Sequence, residues 1–364
     1  MTAPTASGPT SSGPTSSGPT SSGLPESYAA ELDRLDMAPL WTVLADLVPE
    51  HPRPKAVPHL WPYATARAAL LESGRLISAE KAERRVLVLE NPGHRGEHRA
   101  TASIYAGLQL ILPGERAPEH RHTQSALRFV IESDGAYTTV EGARVDMAPF
   151  DLVLTPRWRW HAHGHDGREP GVWLDGLDIP MISLFQGGFA ERIGDNEAPA
   201  RRPDVSPAMH AAGLRPAAGT AAAAHGLLHY PFASWRPALD AARAAGGVEP
   251  HDGVRLEFTD PATGGPVLPT LSAFAQLVPA GTATRAVRRT ESAIVVGVEG
   301  RGTLAMSRAD GSRVALAIGP RDVAVIPSWS DLSITAEAGE DLVLFSLSDR
   351  AAQSALGLYR EERA

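Results

Sequence analysis

The sequence has 364 residues, 43 % of them hydrophobic and 21 % charged, a composition that suits a globular chain with room for two domains and a large core. A net charge of −8 excludes the global positive field that draws proteins to nucleic acid or anionic membranes, and no apolar run approaches the length of a membrane helix. Cysteine is absent, which excludes disulfides, thiolate metal sites and thiol nucleophiles and leaves His, Asp and Glu as the possible metal ligands.

In chain order, GPTSS repeats three times before Gly23 with no apolar residue to offset ordering entropy, so residues 1–24 are expected to be a disordered tail. The N-terminus has neither a basic region nor an apolar signal core, and the expected compartment is the cytoplasm. Residues 25–80 read as a helical arm. ESYAAELDRLDMAPLWTVLADL spaces Leu32, Leu35, Leu40, Leu44 and Leu47 near the helical period, with a break at Pro39 and an end at Pro49. Prolines 52, 54, 58 and 62 make an extended stretch, and ATARAALLESGRLI predicts a second helix closed by Gly74.

Strand signals then dominate residues 81–197: RRVLVLEN, TASIYAGLQLIL, SALRFVIES, AYTTVEG, FDLVLTP and GVWLDGLDIP, each bounded by Gly, Pro or Asp turns. Residues 198–250 form an Ala, Pro and Arg-rich linker with helix around SWRPALDAARAA. Strands resume at LSAFAQLVPA within residues 251–350, and residues 351–364 are a C-terminal segment.

The two strand-rich blocks are copies. GERAPEHRHTQSALRFVIE aligns with GTATRAVRRTESAIVVGVE, pairing Thr123 with Thr290 and Ser125 with Ser292. FDLVLTPRWRW aligns with RDVAVIPSWSD, pairing Asp151 with Asp322 and Trp158 with Trp329. The fold class is therefore all-β, two related barrels in one chain. Opposite His120, His122 and His161 stand Val287, Arg289 and Leu332, so the first half alone is equipped for a metal; Arg289 would fill the second half's position with its own charge.

An H-x-H pair on a strand puts both imidazoles on one face, since side chains alternate. His120 and His122 point together on that reading, and His161 and His163 form a second pair beyond the Pro-containing turn TPRWRW. A solvated strand face is the commoner source of a lone H-x-H. The duplication weighs against it here, because both halves keep the framework and one keeps the histidines.

The layout resembles the bicupin family of paired double-stranded β-helix barrels, and within it the gentisate 1,2-dioxygenase group with salicylate and 1-hydroxy-2-naphthoate dioxygenases. PHLWPY, ENPG, AGLQLILPGE, HRHTQSALRF, TPRWRWHAHG and WLDGLDIP carry the resemblance, from about Met37 to the end of the second barrel. A common cupin pattern places Glu about four residues after the second His; Ala126 stands there, which leaves three neutral imidazoles and no carboxylate. The resemblance implies Fe(II), O2 and an ortho-hydroxylated aromatic carboxylate, opened between its carboxyl- and hydroxyl-bearing carbons, gentisate to maleylpyruvate foremost, in a homotetramer. A cupin isomerase or decarboxylase using another metal, and a binding or storage bicupin, are the competing readings.

Strand parity proposes the supporting residues. Arg128, six residues beyond His122, turns to the metal face to grip a carboxylate. Tyr105, Gly107 and Gln109 share a face as a pocket wall, with Gly107 making room for the ring. His163 sits where it meets a ring hydroxyl or oxygen and moves a proton. Asp175 shares a face with Trp173 and orients His163 or the distal hydroxyl, with Asp178 as its competitor. Arg84 is preferred to Arg85 as a second anion grip, and His94, His98 and His165 are expected in solvated loops.

Overall fold

The computed structural model describes residues 23–193, 206–214, 226–308 and 310–364; the repeat tail through residue 22 and much of the linker lie outside the described residues. The described residues divide into two compact units, those up to residue 53 and those from 54 to 364. The first holds α1 (Glu26–Arg34) and α2 (Leu40–Leu47), and Pro39 stands at the N-cap of α2, where the missing amide costs nothing. Leu40, Trp41, Leu44 and Leu47 on α2 are all exposed.

The second unit opens with β1 (His59–Trp61), α3 (Tyr63–Leu76) and α4 (Ala79–Ala82). Gly74 was expected to close its helix; instead α3 runs past it. A Cβ at Gly74 would come within 3.0 Å of Arg85 Nη1 and a Leu110 methyl, so the glycine serves close helix-on-sheet packing.

The first barrel follows as β2 (Arg85–Val88), β3 (Tyr105–Ile111), β4 (Arg116–His122), β5 (Ala126–Glu132), β6 (Ala136–Val140) and β7 (Ala143–Asp146). It continues with β8 (Leu152–Thr155), β9 (His161–His165), β10 (Gly171–Leu177), α5 (Ile179–Leu184) and β11 (Ala190–Arg192). After α6 (Ser206–Ala211), β12 (His229–Tyr230) and α7 (Phe232–Ala244) come the second barrel's β13 (Val254–Phe258), β14 (Ser272–Val278), β15 (Val287–Arg289), β16 (Ala293–Glu299) and β17 (Gly302–Ser307). The chain ends with β18 (Arg313–Ile318), β19 (Val323–Ile326), β20 (Asp331–Ala336), β21 (Leu342–Ser348), α8 (Arg350–Ala355) and β22 (Glu361–Arg363).

Each barrel pairs two antiparallel sheets: β12-β8-β5-β10-β3-β2 against β11-β4-β9-β6-β7, and β1-β19-β16-β21-β14-β13 against β18-β17-β20-β15-β22. The edge strands are exchanged. β1, which precedes the first barrel, pairs with β19 of the second, and β12, which precedes the second, pairs with β8 of the first. The exchange is locked alike on both sides: the Tyr63 amide donates to Asp322 Oδ1 and the Phe232 amide to Asp151 Oδ1, each at 2.8 Å. A further pair of carboxylates repeats the pattern. Asp178 accepts from the Ser125 amide and from the hydroxyl of Thr270 in the other half; Asp349 accepts from the Ser292 amide and the Ser103 hydroxyl.

The strands that touch across the barrels are buried on both faces, which is why ALRFVIE and LVLFSLS carry apolar residues on both faces instead of alternating with polar ones. Leu127, Phe129 and Ile131 join one inter-barrel core with Phe345 and Leu347, and the Phe129 and Phe345 rings stack at 3.9 Å. The opposite faces fill the barrels. In the second interior Val295, Leu332, Ile334 and Leu344 form an apolar cluster; these occupy the positions of Arg128, His161, His163 and Trp173 in the aligned first half.

Candidate metal centre and active site

The turn TPRWRW delivers the third histidine. Trp158 takes a left-handed φ of 60°, its duplicate Trp329 takes 59°, and the Trp158 amide donates to the His122 carbonyl at 2.8 Å. The chain thus returns beside β4, and a bulge in the β4–β9 pairing sets His120 opposite His161. His120, His122 and His161 bring one ring nitrogen each to within 4.8 Å of one another, and among the described residues this is the one such cluster of His, Asp or Glu.

Tautomers follow from the neighbours. His122 Nδ1 and His161 Nδ1 each lie 2.9 Å from a backbone carbonyl, of Gln124 and Arg159, so each Nδ1 carries the proton and each Nε2 presents a lone pair. His161 Nε2 is buried with no hydrogen-bond partner, an orphan that a bound cation would satisfy. His120 differs: Arg84 Nη2 lies 2.6 Å from its Nδ1, and a guanidinium can only donate. Burial, reinforced by Arg84, pushes His120 down to about 3, and burial pushes His122 to about 4 and His161 well below its ordinary value. Three imidazoles held neutral at pH 7, with no carboxylate among them, are the donor set of a first-row divalent metal, so the residues present fit such an ion.

Beside the triad lies a pocket of roughly 190 Å³, walled by Val86, Tyr105, Gln109, Leu177 and Ile179 and polar at Arg84, Arg128 and Asp175. A dry cavity of about 150 Å³ already admits benzene, so one substituted ring is the natural scale. Arg84 faces the pocket, whereas Arg85 turns away into a buried pair with Glu115. Arg128 is also buried, but not along an unbroken strand: β4 ends at His122, and Arg128 reaches the pocket from β5 in register with Asp175 of β10. Its Nη1 donates to Thr155 Oγ1 and its Nε lies 3.4 Å from Asp175 Oδ1. Burial lowers Arg128 to about 10 and raises Asp175, while their mutual attraction opposes both shifts.

Other expectations need correction. His163 does not line the pocket; it is buried behind His161, with Nδ1 at 2.9 Å from Thr138 Oγ1 and its ring 5.4 Å from that of Trp173. Asp175 consequently orients Arg128 rather than His163, and it also accepts from Trp173 Nε1 at 3.1 Å. Gly107 does not border the cavity. A Cβ there would fall 2.5 Å from Val86 Cγ1 and 3.0 Å from the Tyr105 hydroxyl, so it seats two wall residues instead of the ring. Asp178 belongs to the inter-barrel lock. His165 and His94 are buried rather than solvated, His165 on β9 between the Glu169 carbonyl and the Gly167 amide; His98 is exposed as expected. Val86, Leu177 and Ile179 were missed, for apolar residues in apolar runs carry no sign of a pocket. In the second barrel Arg289 is buried against Asp252 at 2.6 Å and Glu361 at 2.8 Å, so a fixed guanidinium occupies the position aligned with His122.

Residues 107–177 match the cupin domain family. The gentisate 1,2 dioxygenase 1 of Aquipseudomonas alcaligenes is 42 % identical over 93 % of this chain and 96 % of its own. A 5-aminosalicylate 1,2-dioxygenase of Comamonas sp is 35 % identical over 93 % and 92 %. The crystal structure of salicylate 1,2-dioxygenase from Pseudoaminobacter salicylatoxidans, in adducts with gentisate, superposes with a TM-score of 0.83 at 33 % identity, covering 93 % of each chain. Among the described residues no helix is long and apolar enough to cross a membrane.

Proposed function

The chain belongs to the gentisate 1,2-dioxygenase family of bicupins and is a ring-cleaving dioxygenase acting on an aromatic hydroxy acid; we propose that its substrate is gentisate, its metal Fe(II) and its co-substrate O2. The observation that carries the reading is the meeting of three neutral imidazoles with the half-buried Arg84 and the buried Arg128 at one ring-sized pocket. Without a carboxylate ligand, an ion on His120, His122 and His161 keeps both positive charges for a chelating anion. When bound, iron supplies the Lewis acidity and the electron transfer that let O2 react with an aromatic ring.

The chain's own residues do the rest. Arg128, held by Asp175 and Thr155, grips the substrate carboxylate bidentately in a low-dielectric wall. Arg84 releases His120 Nδ1 and turns to the incoming anion, which lets the imidazole proton move to Nδ1 and frees Nε2 for the metal. Gln109 and Tyr105 offer an amide and a hydroxyl to the ring substituents, with Gly107 setting the position of Tyr105. His163 acts from behind His161 as a positioning residue; no group carries a substrate proton through it. Cleavage between the carboxyl- and hydroxyl-bearing carbons of gentisate gives maleylpyruvate. The enzyme works as a cytoplasmic homotetramer, a reading supported by the exposed Leu40, Trp41, Leu44 and Leu47 of α2, which suit a subunit contact.

Iron-reconstituted protein offered gentisate, salicylate and 1-hydroxy-2-naphthoate separately should consume oxygen fastest with gentisate. His161→Ala should lose bound iron, by metal analysis, together with uptake. Oxygen-independent turnover, or full iron content in His161→Ala, would defeat the reading.

A further inference from the structure

A cleft of about 870 Å³ opens between the halves, and it shares no lining residue with the pocket beside the histidines. It is lined by Arg67, Arg301 and Arg321, by the Glu132 carboxylate, and by the apolar surfaces of Phe150 and Val298. Glu132 is shared: Arg67 Nε lies 2.9 Å from it and Arg321 Nη1 3.3 Å. Asp322, the other acid at the cleft, has both oxygens taken by the Tyr63 and Gly319 amides. Among the described residues no carboxylate lies within ion-pair reach of Arg301. Its guanidinium rests against Gly319, where a Cβ would come within 2.9 Å of Nη1. Three arginines thus share one carboxylate at the cleft, on a chain whose net charge is −8.

The duplication says which of these groups the framework requires. Arg67 and Glu132 have direct counterparts in Arg236 and Glu299, which pair at 2.7 Å, so that ion pair belongs to the scaffold. The others do not repeat. Tyr63 aligns with Phe232, Arg321 with Phe150 and Arg301 with Asp134. Where the rings of Phe150 and Phe232 meet at 5.4 Å, the other copy sets the Arg321 charge by the buried Tyr63 phenol. A cation and a hydroxyl stand where the other copy packs the same joint with an aromatic contact, and a second cation stands where the other copy has an acid.

We propose that this cleft is a second ligand site, separate from the metal centre, that takes a small dicarboxylate. Arg321 and Arg301 each present the planar fork that matches a carboxylate, and Phe150 and the exposed Pro320 provide a surface for the carbon chain between them. Neither the metal nor the ring-opening reaction is needed for binding at this cleft.

The test is calorimetric, on iron-free full-length protein at low salt, with succinate, acetate and inorganic phosphate as probes. Succinate should bind most tightly. Arg321→Phe, which installs the duplicate's residue, and Arg301→Gln should each weaken it about tenfold or more, the loss expected for one charged hydrogen-bonding partner. Arg128→Gln, in the metal-side pocket, should leave it unchanged. Binding that is lost in Arg128→Gln but kept in Arg321→Phe and Arg301→Gln would overturn the proposal, as would no succinate heat in the wild type. Phosphate binding as tightly as succinate would overturn the dicarboxylate assignment. Unfolding temperatures of both cleft variants check that weaker binding is not lost structure.

Discussion

Replacing Asp175 by Asn removes a charge and almost nothing else. The amide keeps the acceptor for Trp173 Nε1, and the side chain keeps its volume, but Arg128 loses its counter-charge in a wall where the two side chains are 4 % and 8 % exposed. Stripping one partner from a buried pair costs about 3–5 kcal/mol. Asp175 is itself raised by burial, so relieving its desolvation returns part of that cost, and the lower end, about 3 kcal/mol, is expected. At about 2–4 °C per kcal/mol for barrels of this size, the melting temperature of metal-free protein should fall by roughly 6–12 °C. Calorimetric unfolding of Asp175→Asn, Arg128→Met and the double variant closes the cycle. With the charge gone from position 175, Arg128→Met should become neutral or stabilising, because no ion is then left unpaired. A shift in Asp175→Asn no larger than that of a surface substitution, or an equal cost of Arg128→Met in both backgrounds, would refute the pairing.

Arg128→Gln should act mainly on substrate capture: kcat/KM for gentisate falls roughly 10–100-fold through KM while iron content holds, as loss of a charged hydrogen bond to substrate predicts, and a fall confined to kcat would count against it. Asp349 is raised from 3.8 to about 6, first by burial. A raised acid favours the protonated fold, so its contribution is full below pH 3.8 and is lost as pH rises through 6, about 3 kcal/mol in all. Asp349→Asn should flatten that limb in urea titrations between pH 4 and 7, and an unchanged slope would exonerate Asp349.

What the sequence reveals here follows from periodicity and from duplication. Alternation put His120 and His122 on one face, and comparing the halves showed that Val287, Arg289 and Leu332 could not repeat the site. The failures have physical causes. Parity from His122 to Arg128 runs across a turn, where it has no meaning, and Arg128 reaches the pocket through pairing with β10 instead. His163 shares a face with His161, yet a barrel has depth, and two residues further along β9 the side chain lies beneath the pocket floor among Thr138 and Trp173. The expected start of the second strand block at LSAFAQLVPA overlooked β13, whose VRLEF has a charged residue at every other position. Strands β1 and β12 are three and two residues long, too short for any period to register. Gly74 sent the signal of a helix stop while serving a packing contact that lies far away in sequence.

The crossed placement of β1 and β12 bears on why a barrel without metal ligands persists. Each half borrows the border of its wall from the lead-in of the other, so deleting the second barrel would bare the row of amides and carbonyls that β12 now covers, beside the very strand in register with Arg128. The second half is thus part of the first one's architecture: Leu332 and Arg289 stand where ligands would be, yet its removal would open the wall beside the site.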